Sequence, residues 1–483
     1  MTRRLPRSAP KLFYSRPYAR RRSYRPPPDS RLTKPKGIAT LWTRVRRLLW
    51  SWWLWSLLVV YLIDQRQWWG ALGVALWSLV CSLSTPIEFP PQYGLDHDLE
   101  VGSPEFLNTM AGAAGIPFFG GNTIAVLNNG DQFYPSMLKA IDAAQKSITI
   151  EAYIYWAGEI GMTFAKALAA AAQRGVRVKI LLDAVGSASV GQEILDVLKA
   201  GGCHLAWYNP FRFTSIRRIN NRTHRKSLVC DGCVGFTGGA GIADHWTGNA
   251  QDDKHWRDLQ IRIEGPAVRP LQTGFAQNWS QTTGELLSGA TYYPEHTCEG
   301  DFKVQTVMSS PESGVSSVRL MHYLPIVCAR RSIYISNPYF IPDQAAIDTL
   351  VEAKRRGVDV RIMISGKHND NWLARKNSTR LYGQLLEAGV TVLEYNRTML
   401  HQKTLVVDGQ WVCIGTTNFD NRSFAHNEET SVSIKDAELA AFMEQTFRSD
   451  MRACNRVELE AWQRRGLVTK SLEAVASLLE AQV

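Results

Sequence analysis

The sequence His-Arg-Lys-Ser-Leu-Val-Cys-Asp at residues 224–231 recurs as His-Gln-Lys-Thr-Leu-Val-Val-Asp at residues 401–408. Both copies read H-x-K-x-x-x-x-D. On a β-strand, a histidine and a lysine two positions apart point to the same face, and the apolar residues that follow are typical of a buried strand. The aspartate then ends each strand at a glycine turn, Gly232 or Gly409. One such match is weak, but two at equivalent places favour a site that uses both histidines.

The residues before each copy also repeat, which indicates a duplicated body. Arg-Gly-Val occurs at residues 174–176 and 356–358, and Ala-Gly occurs at 200–201 and 388–389. Glycine just past a helix supplies its left-handed cap. Alternating strands and helices with short turns predict an α/β fold with a mainly parallel sheet in each half. The length of the repeat indicates two homologous halves about a pseudo-two-fold axis, with the site where they meet.

In each half, the pattern predicts two strands with a helix between them. The predicted ranges are strand 147–155, helix 161–173 and strand 178–182 in the first half, and strand 332–339, helix 344–355 and strand 360–364 in the second.

The positive charge of the chain is concentrated at its N-terminus. The formal net charge of the 483 residues is +11, but residues 1–48 hold fifteen basic residues and one acid, Asp29, while the rest holds 40 basic and 43 acidic residues. This arm is predicted to be disordered and to contact anionic lipid headgroups. Because the body itself is slightly acidic, the charge disfavours a general nucleic-acid binder.

Two apolar stretches follow the arm, at about Leu48–Ile63 and Trp68–Leu83, with the polar residues 64–67 between them. Each has 16 residues, slightly below the ~17–25 of a spanning helix, and both contain tryptophans of the kind found at membrane interfaces. We interpret them as a two-span membrane hairpin, which would keep the arm and the body in the cytoplasm by the positive-inside rule. A single span or an in-plane anchor is the alternative.

The eight cysteines are scattered, which predicts free thiols in a reducing compartment. Cys230 and Cys233 form a C-x-x-C pair, but no second pair accompanies it in the sequence, so a zinc or redox role is not favoured. These features divide the chain into five regions. They are a basic arm at 1–47, a membrane anchor at 48–86, a first half at 95–298, a second half at 299–455 and a C-terminal helix at 456–483.

The paired motifs resemble the hallmark of the phospholipase D superfamily, in which two such motifs, called HKD, form one site. The sequence Gly415-Thr416-Thr417-Asn418 is similar to the G-S-x-N that follows the second motif in that family. Glu429 best fits the downstream family acid by spacing, with Glu428 as the alternative. The resemblance covers about residues 95–450 and implies the phospholipase D fold.

The run that begins at Trp256-Arg257-Asp258 is similar to the bacterial cardiolipin synthase branch of that superfamily, and Asp258 there would match Glu429. Members of this branch also tend to carry two N-terminal membrane segments. Gly241 stands where many members have asparagine. This departure argues against a fully symmetric phosphate-binding cradle.

The residue types suit attack on a phosphodiester anion. Lys226 and Lys403 can neutralise the phosphate oxygens, and Thr416 and Asn418 can donate hydrogen bonds to them. One histidine can attack phosphorus to give a phosphohistidine while the other protonates the leaving alkoxide. The roles reverse when water or an alcohol takes the phosphoryl group.

A carboxylate behind each imidazole would fix its tautomer, and Asp258 and Glu429 are the candidates. The resemblance implies that His224 is the nucleophile and His401 the acid, whereas the residues alone leave this assignment open. Asp231 and Asp408 complete the HKD pattern, but we interpret them as structural residues that hold turns. Because two lysines take the place of divalent ions, no metal or other cofactor is expected.

The resemblance implies a membrane-bound phosphatidyltransferase that makes cardiolipin from phosphatidylglycerol and releases glycerol. The expected partners are this anionic phospholipid and the bilayer of the bacterial inner membrane, with the catalytic body facing the cytoplasm and no stable nucleic-acid partner. A phospholipase D that transfers the group to water is the nearest alternative, since acceptor choice depends on water exclusion. A nuclease and a non-catalytic lipid-binding scaffold are less favoured, and the oligomeric state is left open.

Overall fold

The computed structural model consists of two short N-terminal helices followed by two halves made of sheets and helices. It describes residues 52–83, 94–95, 97–211, 221–296, 299–310 and 317–478. The basic arm at 1–47 and the start of the first apolar stretch, residues 48–51, lie outside the described residues.

The two apolar stretches form helices α1 (Trp52–Asp64) and α2 (Trp68–Leu83), which pack against each other. The indole rings of Trp55 and Trp77 meet edge to face with centroids 6.4 Å apart, and the hydroxyls of Ser56 and Ser78 lie 3.0 Å apart. Within the part of the chain that the structure describes, no helix has both the length and the apolar character needed to cross a membrane.

The remaining elements alternate as the sequence predicts. The helices are α3 Pro104–Ala114, α4 Gly130–Ala143, α5 Glu159–Gln173, α6 Gln192–Ala200, α7 Val268–Thr283, α8 Ser317–Cys328, α9 Gln344–Arg355, α10 Trp372–Arg380, α11 Tyr382–Glu387, α12 Asn421–Ala425, α13 Ala437–Met451, α14 Leu459–Gln463 and α15 Leu467–Leu478, with a 3₁₀ turn at Asp244–Trp246. The strands are β1 Phe119–Gly121, β2 Thr123–Asn128, β3 Ser147–Ala152, β4 Arg177–Asp183, β5 His204–Tyr208, β6 Arg222–Thr223, β7 Ser227–Cys230, β8 Val234–Gly238, β9 Leu259–Glu264, β10 Gly300–Ser309, β11 Ser332–Ser336, β12 Phe340–Ile341, β13 Asp359–Ser365, β14 Thr391–Tyr395, β15 Thr404–Val407, β16 Trp411–Gly415, β17 Phe419–Asp420, β18 Asn427–Lys435 and β19 Cys454–Arg456.

The first half has a seven-stranded sheet in the order β2-β9-β8-β7-β3-β4-β5. Only β3, β4 and β5 run parallel, joined by the crossover helices α5 and α6. Strands β2, β7, β8 and β9 pair antiparallel. The prediction of a mainly parallel sheet is therefore wrong for this part. Short turns such as the one after Asp231 can join only antiparallel neighbours, because a parallel pair needs a long crossover.

The second half has a ten-stranded sheet in the order β1-β10-β18-β16-β15-β11-β13-β14-β19, with β6 pairing on β18. Here too the three strands joined by helices, β11, β13 and β14, run parallel. Two strands of the first half cross over into this sheet: β1 pairs with β10, and β6 lies parallel to the start of β18. The β6–β18 pair is important for the site, because it joins the segment before His224 to the segment before Glu429.

A shared apolar core joins the two halves. It contains side chains of the first half such as Val229 and Leu259 and side chains of the second half such as Val406 and Ile414, all almost fully buried. Burial of this much apolar area fixes the relative position of the halves. The strands β7 and β15 that follow the two H-x-K pairs are therefore held firmly across the junction.

The C-terminal region contains two helices, α14 and α15, where the sequence suggested one. The break lies at Gly466, a residue that disfavours helix interiors. Helix α15 docks on α10, where the Asn377 amide donates to the carbonyl of Ala476 over 3.1 Å.

Candidate active site

The two H-x-K-x-x-x-x-D segments occupy corresponding places in the two sheets. Each histidine and lysine lies just before a strand, β7 or β15, and each aspartate follows the same strand. Both strands pair antiparallel with the first strand of the repeated unit, β3 or β11. The basic residues therefore meet at one end of the strands, and the aspartates lie at the other.

Asp231 and Asp408 anchor the central strands. The Asp231 carboxylate accepts hydrogen bonds from the backbone N–H groups of residues 145–147 at 2.7–2.9 Å. The Asp408 carboxylate accepts the equivalent bonds from residues 330–332 at 2.7–3.0 Å. Both residues adopt left-handed backbone angles, with φ of 54° and 56°. These contacts explain why an aspartate recurs in both motifs: it holds the start of the central strand, and no role in the reaction is needed to account for it.

Replacing Asp231 by alanine is expected to lower the free energy of unfolding by about 1–3 kcal/mol, because three N–H groups lose their acceptor. Urea denaturation followed by circular dichroism measures this loss, with the exposed Asp253→Ala as the control. The transfer rate per folded molecule is expected to stay within a few-fold. Unchanged stability with a lost rate would show instead that Asp231 takes part in the reaction.

His224 is held by an acid of the other half. Its Nδ1 donates to the Glu429 carboxylate, with distances of 2.9 and 3.0 Å to the two oxygens. Its backbone N–H donates to the carbonyl of Glu428 over 2.9 Å, next to the β6–β18 pair. Glu428 itself forms an ion pair with Arg225. The choice left open by the sequence is thus resolved geometrically: Glu429 holds the imidazole and Glu428 holds the neighbouring arginine.

His401 is held in the same way by an acid of the first half. Its Nδ1 donates to Oδ2 of Asp258 over 2.8 Å, and its backbone N–H donates to the carbonyl of Arg257 over 2.8 Å. Arg257 in turn pairs with Asp450 of the second half over 3.1 Å. Each half therefore supplies one histidine and the acid that orients the histidine of the other half. A complete histidine–acid pair exists only when the halves are docked.

The two orienting acids have different supports. Thr416 donates its hydroxyl to Glu429, whereas Asp258 accepts the indole N–H of Trp246 over 3.0 Å. A Cβ atom at Gly239 would lie 2.2 Å from the Asp258 carboxylate, and one at Gly241 would lie 3.0 Å from the Trp246 ring. Glycine at 239 and 241 therefore makes room for the acid and for the tryptophan that supports it.

The predicted phosphate ligands divide into two groups. A cavity of about 690 Å³ is lined by His224, Lys226, His401 and Asn418. Thr416 is fully buried behind Glu429, so the structure gives it a supporting place and not the predicted contact with phosphate. Lys403 is also buried: its Nζ donates to the His401 carbonyl over 2.6 Å and lies 3.0 Å from Nε2 of that ring. Lys226 is as deeply buried and donates to the His224 carbonyl over 3.0 Å, but of the two lysines it is the one that lines the cavity.

Aromatic side chains line the cavity beside the two histidines. Tyr153 packs edge to face on His224, with ring centroids 5.2 Å apart, and Trp256 lies 5.4 Å from the His401 ring. Tyr339 lines the cavity as well. Sequence reasoning missed Arg222 and Asp370 of the lining. Asp420, Arg422 and Asn427 also line the cavity, and they lie in the stretch that closely follows the second motif.

Burial keeps both histidines neutral in the free site. Burial lowers the pKa of His224 to about 4, although Glu429 opposes the change. Burial, with the charges of Lys403 and Lys226, holds the pKa of His401 well below its usual value. A neutral imidazole that donates from Nδ1 leaves a lone pair on Nε2. Both rings therefore present a nucleophilic or basic nitrogen.

The carboxylates and lysines are shifted as well. Burial would raise the pKa of Glu429, but the nearby His224 and Lys226 and the hydrogen bonds outweigh it and lower that pKa. Burial raises the pKa of Asp258 to about 6, with Lys403 opposing the change. Burial lowers the pKa of Lys226 to about 8 and that of Lys403 to about 7. Near pH 7 the acids are mostly charged, and Lys226 remains a cation.

No group of three or more His, Cys, Asp or Glu side chains within the described ranges is arranged to hold a metal ion. Cys230, the first residue of the C-x-x-C, is a free thiol, and burial raises its pKa. Cys203, Cys328, Cys413 and Cys454 are free thiols as well.

Comparison with known proteins agrees with this geometry. Residues 137–279 and 325–451 match the family described as "Cardiolipin synthase, PLD-like domain". The chain is 35% identical over 364 residues to cardiolipin synthase 2 of Staphylococcus epidermidis, covering 74% of each protein. It is also 35% identical over 358 residues to cardiolipin synthase of Geobacillus kaustophilus, covering 74% of this chain and 71% of the relative.

A solved structure supports the fold. The phosphatidylserine synthase of Haemophilus influenzae superposes with a TM-score of 0.61 at 15% identity, covering 78% of this chain and all of that one. The resemblance to the phospholipase D superfamily is thus confirmed by the family match and by the curated relatives, and the α/β fold of two homologous halves is confirmed with mixed sheets. The chain belongs to the cardiolipin synthase family of phospholipase D-like proteins.

Proposed function

We propose that this protein is a phosphatidyltransferase that makes cardiolipin from two molecules of phosphatidylglycerol and releases glycerol. The observation that carries the proposal is the pair of histidines in one cavity, each oriented by an acid of the other half, in a chain of the cardiolipin synthase family. This arrangement suits double displacement at phosphorus, which needs two imidazoles that can exchange roles.

In the first step, Nε2 of His224 attacks phosphorus of the donor lipid, and the bond from phosphorus to the glycerol oxygen breaks. His401, which carries a proton on Nε2 once the phosphate anion is bound, gives that proton to the oxygen, and glycerol leaves. In the second step, His401 takes the proton of a glycerol hydroxyl on the acceptor lipid. The new alkoxide attacks phosphorus, the P–N bond breaks, and His224 is regenerated. Lys226 and Asn418, which line the cavity, stabilise the charge on the phosphoryl oxygens.

We assign the nucleophile to His224 because of the carboxylate that orients it, Glu429. Glu429 carries a lowered pKa and remains a charged acceptor for Nδ1–H throughout the neutral range. Asp258 has a raised pKa and lies beside Lys403. The His401–Asp258 pair therefore gains and loses a proton more readily than the His224–Glu429 pair. A proton-transferring residue needs that property, whereas a nucleophile needs a fixed lone pair.

The site works at the bacterial cell membrane, with the catalytic halves on the cytoplasmic side and the α1–α2 pair attached to the bilayer as an apolar hairpin. Leu57, Val60 and Trp69 of that pair are 62%, 65% and 86% exposed, which suits lipid contact better than water. At the cavity, Val185 and Trp372 are also exposed.

Full-length protein should float with phosphatidylglycerol vesicles even at high salt, which screens the charges of the basic arm. If the protein does not float at high salt, the basic arm alone attaches it to the membrane and the α1–α2 hairpin does not.

The central experiment is to give purified, detergent-solubilised protein labelled phosphatidylglycerol in the presence of a chelator, and to separate the lipid products. Cardiolipin and free glycerol in equal amounts are expected. Phosphatidic acid as the main product would make the protein a hydrolase. If no product forms from this lipid, the proposal fails.

The pH dependence of kcat/KM is expected to be bell-shaped. The rate should fall as pH falls through about 6, because Asp258 gains a proton and no longer accepts from Nδ1–H of His401. It should fall again as pH rises between about 7 and 8, because Lys403 and then Lys226 lose their charge. Initial rates between pH 5 and 9 test this, with circular dichroism as the control for folding. A flat profile would contradict the assigned roles.

A further inference from the structure

Two arginines from different halves face the cavity beside the catalytic histidines. Arg222 lies on β6 and Arg422 on α12, and both line the same cavity as His224 and Lys226. The backbone of Arg222 pairs with that of Asn427, another residue of the cavity lining. The arginine pair is thus built across the junction of the halves, as the catalytic pair is.

The two arginines are held differently. Arg222 is almost fully buried: it donates to the carbonyl of Asn209 over 2.9 Å and pairs with Asp183 over 3.4 Å. Arg422 is only half-buried. Its helix is fixed by Asp420, whose carboxylate accepts from the backbone N–H of Ser423 over 2.6 Å. Arg422 is therefore the guanidinium with more access to a ligand.

Tyr153, beside the reaction centre, is close enough to both arginines for their charges to act on it. The Tyr153 ring is 5.2 Å from that of His224 and 5.5 Å from Nζ of Lys226. Burial and Asp183 raise the pKa of Tyr153, while the positive charges of Arg422 and Arg222 act on it in the opposite direction. The phenol thus lies within the field of both arginines and of the catalytic lysine.

The cavity remains favourable for a second anion. The acids that line it are Asp370 and Asp420, against Arg222, Lys226 and Arg422. The Asp370 carboxylate accepts the hydroxyl of Tyr339. Burial raises the pKa of Asp420 to about 7, so this carboxyl is about half neutral near pH 7. One phosphate on His224 uses Lys226, and the two guanidinium groups are the further cations of the cavity lining.

We propose that Arg422, supported by Arg222, binds the phosphate of the acceptor phospholipid while its glycerol hydroxyl attacks the phosphohistidine on His224. This inference rests on the proposed function. Cardiolipin carries two phosphates joined by one glycerol, so the second phosphate must enter the same cavity close to the first. Two anions this close repel each other unless a cation balances the second one, and a guanidinium binds phosphate through two parallel hydrogen bonds.

This second phosphate site explains how a transferase favours a lipid hydroxyl over water. Water and simple alcohols carry no phosphate, so they gain nothing from Arg422. The acceptor lipid gains both affinity and orientation, which raises its effective concentration at the phosphohistidine. Arg422 is therefore a specificity residue for the second step, and the first step proceeds without it.

The test is a competition between acceptors. Purified full-length enzyme receives labelled phosphatidylglycerol together with ethanol, and the ratio of cardiolipin to phosphatidylethanol is measured for wild type and Arg422→Gln. Both products arise from the same phosphohistidine, so the ratio is independent of the first step and of the fraction of folded protein. The ratio is expected to fall about tenfold to a hundredfold in the variant, as for loss of a charge-assisted hydrogen bond.

Two control variants sharpen the result. Arg422→Lys keeps the charge without the planar fork and should give an intermediate ratio. Arg355→Gln removes an arginine that is 71% exposed, and it should leave the ratio unchanged. An unchanged ratio in Arg422→Gln, with both products reduced together, would overturn the proposal and leave Arg422 a structural role. Wild-type protein that makes phosphatidylethanol but no cardiolipin would instead refute the proposed function.

Discussion

His401→Ala is expected to release one equivalent of p-nitrophenol from a phosphatidyl p-nitrophenyl ester in a burst and then stop, whereas His224→Ala releases none. The p-nitrophenolate leaves without a proton, so formation of the phosphohistidine no longer needs an acid. Breakdown of the intermediate still needs His401 to remove the proton of the incoming hydroxyl. The His401 variant therefore accumulates phosphoenzyme, which acid-quenched samples with a labelled phosphatidyl group reveal directly.

With phosphatidylglycerol itself the two variants should look alike. Loss of His401 removes acid–base catalysis, which accounts for about 10²–10⁴-fold, and loss of His224 removes the covalent route. The activated ester is therefore the informative substrate. A burst from His224→Ala and none from His401→Ala would reverse the assignment. A burst from neither would require that both rings act together in the first step.

The local pattern of the sequence was sufficient to predict the repeated elements. Helix α9 spans Gln344–Arg355, as its apolar period and the following glycine predict. Strand β4 extends one residue beyond each end of the predicted range 178–182. These elements are determined by periodicity, turn residues and caps, which act over a few residues. The pairing of the later strands was not predictable in this way, because hairpin strands and crossover strands look alike when both are buried.

The partners within the site depend on how the halves dock. Asp258 and Glu429 could be selected as orienting acids from residue type and spacing, but the exchange of acids between halves follows only from the packing of β7, β9, β15 and β18. Thr416 stands at the serine position of the family motif, and its burial behind Glu429 could not be read from that position. Docking geometry is a property of many distant contacts, so a local pattern does not contain it.

The support of Asp258 by Trp246 had a faint signal in the sequence. The second half has Thr416 and Asn418 where the first half has Gly239 and Gly241. Two side chains missing from a repeated motif leave space beside the acid, and another residue must fill that space. The structure fills it with the indole of Trp246, which supplies the hydrogen bond that a hydroxyl supplies in the other half.

Glu429→Gln is expected to lower the rate of phosphohistidine formation by about 10³–10⁴-fold, comparable to other losses of a histidine-orienting carboxylate. The carboxylate accepts from Nδ1–H of His224 and so leaves the lone pair on Nε2. A neutral amide can present N–H to Nδ1 and stabilise the opposite tautomer, whose Nε2 carries the proton and cannot attack. The burst rate with the p-nitrophenyl ester measures this step alone.

Glu428→Gln is the matched control, because the two residues are adjacent, buried and acidic. Glu428 pairs with Arg225, which also donates to the carbonyls of Gly274 and Ser309 over 2.9 Å. Weakening this pair should reduce stability and therefore the burst amplitude, which counts folded molecules, while the burst rate stays within a few-fold of wild type. If both variants slow the burst equally, the effect belongs to the packing of this segment and not to the tautomer. A slow burst in Glu429→Gln alone, with full amplitude, isolates the contribution of the carboxylate that the second half supplies to the nucleophile of the first.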